Sequence, residues 1–236
     1  MTVRPAMIFA AGLGTRMGEL TRDRPKPLLE LAPGHTLLDH ALALVRGAEA
    51  APVVVNAHAH AGQIAAHLAR CAQDVALSLE TDRLETGGGL KAAFPRLLAP
   101  GHRGPVLTLN ADMFWRGPNP LVALADAWDG ARMGALLALV RREAAIAHQG
   151  PGDFALDRAG RLARRTPGAA APFVFAGAHA IDPTALDPFP PGVYSLNAVW
   201  DRLLAEGRLF GLVWEGTWID VGRPEGLDRA RAALAP

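Results

Sequence analysis

Ala6-Met7-Ile8-Phe9-Ala10-Ala11-Gly12-Leu13-Gly14-Thr15-Arg16-Met17 is an apolar run that ends in a glycine-bearing turn. The run Ala6 to Ala10 has strand length and no polar face, the pattern of a strand buried on both sides. The small residues that follow let backbone N–H groups come close to a base or a phosphate. Gly12 and Gly14 can also take the positive φ of a tight anion-cradling loop. Ten residues beyond Arg16 lies Lys26, flanked by prolines in Pro25-Lys26-Pro27. The chain has 24 basic residues, of which 22 are Arg and only two, Lys26 and Lys91, are Lys. A lysine held between two prolines is a compact charge on a stiffened backbone, which suits a phosphate hook. Taken alone, Gly-x-Gly after a strand serves equally as a simple turn. The stretch is not a P-loop, because Gly-Lys-Ser/Thr is absent, and Met17 stands where a dinucleotide fingerprint has its third glycine.

Outward from this stretch, further strand-length apolar runs occur at Pro52 to Asn56, Val75 to Leu79, Val106 to Asn110 and Ala135 to Val140. Between them, Leu37, Leu38, Ala41, Leu42 and Val45 share one helical face, as do Ile64, Leu68 and Cys71. Alternating strand and helix predicts an α/β fold with a mainly parallel, mixed central sheet flanked by helices. Ligands of such sheets bind beyond the carboxyl ends of the strands. The second half is less regular, with strands expected near Phe154, at Phe173 to Ile181 and at Leu209 to Val213, and helices at Leu196 to Glu206 and Pro224 to Leu234. At 236 residues, half of them hydrophobic, one domain over residues 1–236 is expected.

Lys+Arg at 24 against Asp+Glu at 23 leaves no basic field for nucleic acid or an anionic membrane, so a small-molecule ligand is expected. The single cysteine, Cys71, excludes an internal disulfide framework and suits a reducing cytosol. Met1 to Ala6 carries no basic region leading into a long apolar stretch, and no run reaches the roughly 18 residues of a membrane span. A cytoplasmic protein without a signal peptide is the expectation.

The spaced pair Ala10-Ala11-Gly12-Leu13-Gly14-Thr15-Arg16-Met17 and Pro25-Lys26-Pro27 resembles the signature of the sugar-1-phosphate nucleotidyltransferases. The resemblance continues through Val53-Val54-Val55-Asn56 with Gln63-Ile64, through Leu84-Glu85-Thr86-Gly87-Gly88-Gly89 and Asn110-Ala111-Asp112, to Trp218-Ile219-Asp220-Val221-Gly222. Within that family the chain is most similar to a compact bacterial branch acting on N-acetylmuramate 1-phosphate with UTP or on mannose 1-phosphate with GTP. Glu19, where relatives often have proline, and Ala111, where many have glycine, depart from the pattern.

The resemblance implies a Rossmann-like nucleotidyltransferase fold, Mg²⁺ as cofactor, and an NTP and a sugar 1-phosphate as substrates. It places Asp112 and Asp220 on the metal, and makes Arg16, Lys26 and Asp112 the catalytic groups. It assigns the nucleotide to Ala10, Ala11, Gly12, Gly14, Thr15, Arg16, Asn56, Thr86 and Gly87, within a part spanning about residues 1–115. Asp153, Gly177 and Asn197 are the sugar-phosphate candidates in the remainder, about residues 116–236. On spacing alone Asp112 and Asp220 are cap or turn residues, and Asn56 is equally a strand-ending Asn that bonds its own loop. The three glycines before the helix that carries Lys91 are expected to admit a flat nucleobase.

Several features are set aside. His58, His60 and His67 lack a neighbouring carboxylate or thiolate in sequence and are taken as surface histidines. Cys71 is taken as packed, Lys91 as an exposed helical lysine, and Arg141-Arg142 and Arg164-Arg165 as solvated pairs. The alternatives to uridylyl transfer are guanylyl or cytidylyl transfer on the same fold and, from another class, a non-catalytic nucleotide-sugar-binding regulator. A monomer or a homodimer fits equally.

Overall fold

The computed structural model describes residues 4–234, so residues 1–3 of the Met1 to Ala6 stretch and residues 235–236 lie outside the described residues. In chain order the strands and α-helices are β1 (Ala6–Phe9), β2 (Glu30–Ala32), β3 (His35–Thr36), α1 (Leu37–Gly47), β4 (Val53–Ala57), α2 (Ala61–Cys71), β5 (Val75–Leu79), α3 (Glu85–Leu97), β6 (Val106–Asn110), β7 (Met113–Arg116), α4 (Pro120–Ala127), β8 (Ala135–Arg141), β9 (Phe154–Leu156), β10 (Leu162–Arg164), β11 (Phe173–Ile181), α5 (Leu196–Ala205), β12 (Leu209–Val213), β13 (Thr217–Asp220) and α6 (Pro224–Leu234). The nine-stranded main sheet runs β10-β9-β11-β6-β1-β4-β5, with β8 pairing β11 and β12. Its β6-β1-β4-β5 half is wholly parallel, while β11 runs antiparallel to β6, β8 and β9. The fold is the expected α/β sheet with helices on both faces.

β1 shows why such a sheet needs continuous apolar runs. Ala6 and Ile8 belong to the core beneath α1, α2 and α4, whereas Met7 belongs to the core beneath α3 and α5. Successive side chains of one strand thus feed opposite cores, and a polar residue on either side would be stranded. A third, smaller core gathers Met17, Leu29, Leu37, Phe114, Ile219, Val221 and Leu227. It ties the turn after β1 to a separate two-stranded ladder, β7 against β13, and to α6. No helix among the described residues is long and apolar enough to cross a membrane.

On β11, opposite Thr108 of β6, sits a fully buried histidine. His179 Nδ1 is 2.6 Å from Thr108 Oγ1, and its ring stands edge-on to Trp200 at 5.6 Å between centroids. Burial lowers its pKa from 6.5 to about 3. A folded pKa below the unfolded one means that the unfolded chain takes up the proton first. The stability linked to His179 is therefore complete above pH 6.5 and declines as pH falls toward 3. An NMR titration should show the His179 ring resonances unchanged from about pH 8 down to about pH 5. A midpoint near 6.5 for His179 would show that the ring is not sealed as described.

Candidate active site

Beyond the carboxyl ends of β1, β4 and β6 opens a cleft enclosing about 680 Å³ of empty space including its mouth. Its floor is Phe9, Ala10, Ala11 and Gly12, one side carries Lys26 and Asp112, and the other carries Arg83, Glu85 and Thr86. Of the two loop glycines, Gly14 takes positive φ, at 65°, and begins a 3₁₀ turn over Thr15–Thr21. A Cβ on Gly14 would sit 3.1 Å from Lys26 Cβ, so the glycine lets the two loops touch. Gly12 needs no positive φ, and a Cβ there would meet nothing within 4 Å. Met17, at the position where a dinucleotide fingerprint has glycine, is buried and anchors the turn to the third core.

Lys26 is 6% exposed, and its Nζ donates to Asp112 Oδ2 at 2.8 Å. Asp112 is placed by backbone bonds on both sides. The Ala111 amide donates to the Phe9 carbonyl at 3.1 Å, and the Val221 amide donates to the Asp112 carbonyl at 3.2 Å. The next residue, Met113, pairs directly with Asp220 in the β7–β13 ladder. Of two acids far apart in sequence, Asp112 thus bonds the Lys26 ammonium directly and Asp220 feels its charge. Asp220 Oδ1 accepts from the Gly222 amide at 2.8 Å, and Oδ2 lies 3.3 Å from His148 Nδ1. A carboxylate only accepts, so His148 Nδ1 carries the proton. Burial pushes the Asp220 pKa up, but His148, the Gly222 amide and the Lys26 charge outweigh it and hold the carboxyl below its usual value. Arg16 is exposed and lies along Gly222, where an added Cβ would come within 3.3 Å of its guanidinium.

At the other side of the cleft, Asn56 Oδ1 accepts from the Ala10 amide at 2.8 Å and its Nδ2 donates to Glu80 Oε1 at 2.7 Å. Asn56 therefore fixes the first residue of the glycine-bearing loop. Glu80, buried and absent from the sequence reading, also accepts from the Leu84 amide at 3.1 Å, which connects the loop to the start of α3. Thr86 Oγ1 accepts from the Leu196 amide at 3.0 Å, joining the N-terminus of α3 to that of α5.

The MobA-like NTP transferase domain family matches residues 6–180, most of the chain. The chain belongs to this family. The N-acetylmuramate alpha-1-phosphate uridylyltransferase of Caulobacter vibrioides is 40% identical, over 98% of this chain and 96% of the relative. The protein of the same name from Neisseria meningitidis is 32% identical, over 96% of each. Among solved structures, HddC from Yersinia pseudotuberculosis complexed with GMP-PN superposes with a TM-score of 0.77 over 98% of this chain and 99% of that one. At 18% identity this is a likeness of fold.

In this NTP transferase the triple glycine packs a helix against a loop. Gly87, Gly88 and Gly89 lie inside α3 rather than ahead of it, and the space they leave is filled by the chain itself. A Cβ at Gly87 would sit 2.5 Å from the Tyr194 ring, at Gly88 1.9 Å from the Gly192 carbonyl oxygen, and at Gly89 2.6 Å from Glu80 Oε1. The Gly87 and Gly88 amides donate to the Tyr194 carbonyl at 2.9 and 3.1 Å. The roughly 1 kcal/mol that each helical glycine costs is offset by close helix–loop packing.

The three sugar-phosphate candidates separate. Gly177, with φ of 88°, sits in a bulge of β11, where a Cβ would press on Met113 and Asn110, so it borders Asp112. Asp153 Oδ2 accepts from the Phe175 amide at 2.8 Å and is committed to β11. Asn197 is exposed and accepts from Arg164, which also pairs with Asp201 and lies over the Phe154 ring. Arg164 is exposed, as expected, but held in place by these partners. Lys91 likewise is not free, because it donates to the Leu186 and Phe189 carbonyls. His148 was missed entirely, since nothing local marks it.

The glycines supply a test. Gly88→Ala should destabilise the fold by about 3 kcal/mol through overpacking, whereas Gly12→Ala should stay within about 0.5 kcal/mol of wild type. Urea unfolding compares them directly, and equal effects would show that the α3 glycines are not packing against the 192–194 loop.

Proposed function

We propose that this NTP transferase forms a nucleotide-sugar and pyrophosphate from an NTP and a sugar 1-phosphate, with UTP and N-acetylmuramic acid 1-phosphate as the substrates to test first. The observation that carries the reaction class is the Lys26–Asp112 pair lining the cleft floored by the glycine-bearing loop, with Asp220 near enough to feel the Lys26 charge. The lean toward uridylyl transfer and a lactyl-bearing sugar rests on the 40% identity to the Caulobacter relative. The N-terminal part, about residues 1–115, would hold the nucleotide, and the remainder the sugar phosphate.

In this reading a phosphate oxygen of the sugar 1-phosphate attacks the α-phosphorus of the NTP in line. One P–O bond forms as the α–β phosphoanhydride bond breaks and pyrophosphate departs, with no covalent enzyme intermediate. The barrier is mainly repulsion between two anions and charge building on the leaving group, so positioned charge should dominate. Lys26 would meet the α-phosphoryl or the incoming phosphate, exchanging Asp112 for it. Arg16, exposed at the loop, would hold the departing pyrophosphate. The Ala10–Gly12 backbone offers close approach without side-chain bulk.

The acids suit a hard divalent cation. Asp112 bonds Lys26, the same Lys26 charge reaches Asp220, and the Asp220 carboxyl is held below its usual value by its neighbours, so the two acids would supply the carboxylate ligands. Mg²⁺ bound there would neutralise phosphate charge and complete its shell with water and phosphate oxygens. His148 would keep the Asp220 carboxylate turned the right way through its Nδ1–H.

Pyrophosphate release measured with four NTPs against several sugar 1-phosphates should be fastest with UTP and N-acetylmuramic acid 1-phosphate. A preference for GTP with mannose 1-phosphate would replace the substrate assignment, and nucleotide binding without turnover on any acceptor would replace catalysis with sensing. Lys26→Ala and Asp112→Asn should each lower kcat by about 10²–10³, and wild-type rates in either would remove the assignment. His148→Ala should cost roughly 10-fold to 100-fold, with His148→Asn recovering much of it because its amide can replace the Nδ1 donor.

A further inference from the structure

A second constellation lies between α1 and α2, apart from the cleft. The Asp39, His67 and Cys71 ligand atoms all fall within 4.8 Å of one another. Asp39 Oδ1 is 2.7 Å from His67 Nε2 and 3.8 Å from Cys71 Sγ. This overturns two readings from the sequence: His67 does have a carboxylate and a thiol beside it, and Cys71 is exposed rather than packed.

Each donor is placed by a separate constraint. Asp39 is the third residue of a capping box, and its Oδ2 accepts from the Thr36 amide at 2.8 Å and from Thr36 Oγ1 at 2.7 Å. That fixes the carboxylate and leaves Oδ1 aimed at α2. His67 and Cys71 stand four residues apart on α2 and so share one face. Arg46 already braces the two helices, donating to the Cys71 carbonyl and pairing with Asp74, each at 3.2 Å.

The arrangement does not make a nucleophile. The thiol donates to the His67 carbonyl at 3.1 Å and to Asp39 Oδ1 at 3.8 Å, and burial together with the Asp39 carboxylate pushes its pKa up, so the free protein keeps it protonated. What the geometry does offer is an oxygen, a nitrogen and a sulfur within 4.8 Å of one another, with the cysteine exposed to solvent. Tetrahedral zinc bonded to these donor types sets them roughly 3.3 to 3.6 Å apart. The observed pairs bracket that spacing, and a small side-chain rotation would reach it.

We propose that Asp39, His67 and Cys71 form a surface site for a divalent d-block cation of the zinc class, which clips α1 to α2. On binding, the Cys71 thiol gives its proton to solvent, His67 presents the Nε2 lone pair with its proton on Nδ1, and water fills the fourth position. Carboxylate and thiolate together balance the dication, so the site is neutral and tolerates Arg46 and Arg70 beside it. The site is independent of the transferase reading, since none of its residues lines the cleft.

The test is a Co²⁺ titration of the reduced, full-length protein without Mg²⁺ or nucleotide. Only a thiolate–Co²⁺ bond gives an intense near-ultraviolet charge-transfer band, so cobalt held by Asp112 and Asp220 is silent in this readout. The band should saturate at one Co²⁺ per chain, vanish on adding Zn²⁺ and be absent in Cys71→Ser. His67→Gln should raise the Co²⁺ needed by about tenfold or more. Both variants should retain Mg²⁺-supported nucleotidyl transfer. No band at excess Co²⁺, or a band that His67→Gln leaves unchanged, would overturn the proposal.

Discussion

The antiparallel pairing of Met113–Arg116 with Thr217–Asp220 is the constraint on which the site depends. Backbone hydrogen bonds set its register, and that register puts Asp220 opposite the residue that follows Asp112. Phe114 and Ile219 from this ladder lie with Met17 and Leu29 in the third core. One side of a short ladder therefore grips the loops carrying Arg16 and Lys26, while its end presents the acids. A one-residue slip would turn Asp220 to the opposite face, because side chains alternate along a strand.

Charge in the site is arranged before any substrate enters. A buried ammonium without a partner is costly, and Lys26 avoids that cost through Asp112 at 2.8 Å. Asp220, His148 and Gly222 form a second, adjoining set that keeps another carboxylate ionised. A phosphate arriving here meets positioned charge in a partly desolvated cleft, where Coulomb interactions are stronger than in water. Asn56 and Glu80 give the opposite wall similar rigidity, tying the loop after β1 to the start of α3.

The central strands were legible because β1, β4 and β6 are buried on both faces, and continuous apolar runs leave a local imprint. The glycine-bearing turn and Lys26 were legible because sterics and proline act within a few residues. The β7–β13 ladder was not, since two four-residue strands carry little periodicity and find each other only in the folded chain. His148 and Glu80 share that obscurity, as their roles lie wholly in distant partners. The packing of the α3 glycines and the Asp39–His67–Cys71 group stayed hidden for the same reason. What filled the glycine space, and what stood beside His67, came from segments remote in sequence.

A crystal structure with UTP and Mn²⁺, phased for the anomalous signal of manganese, bears most directly on the assembly of Lys26, Asp112 and Asp220. An ion between the Asp112 and Asp220 carboxylates, with the triphosphate along the Ala10–Gly12 backbone and near Lys26, is the expected arrangement. Manganese and nucleotide bound away from both acids would contradict it.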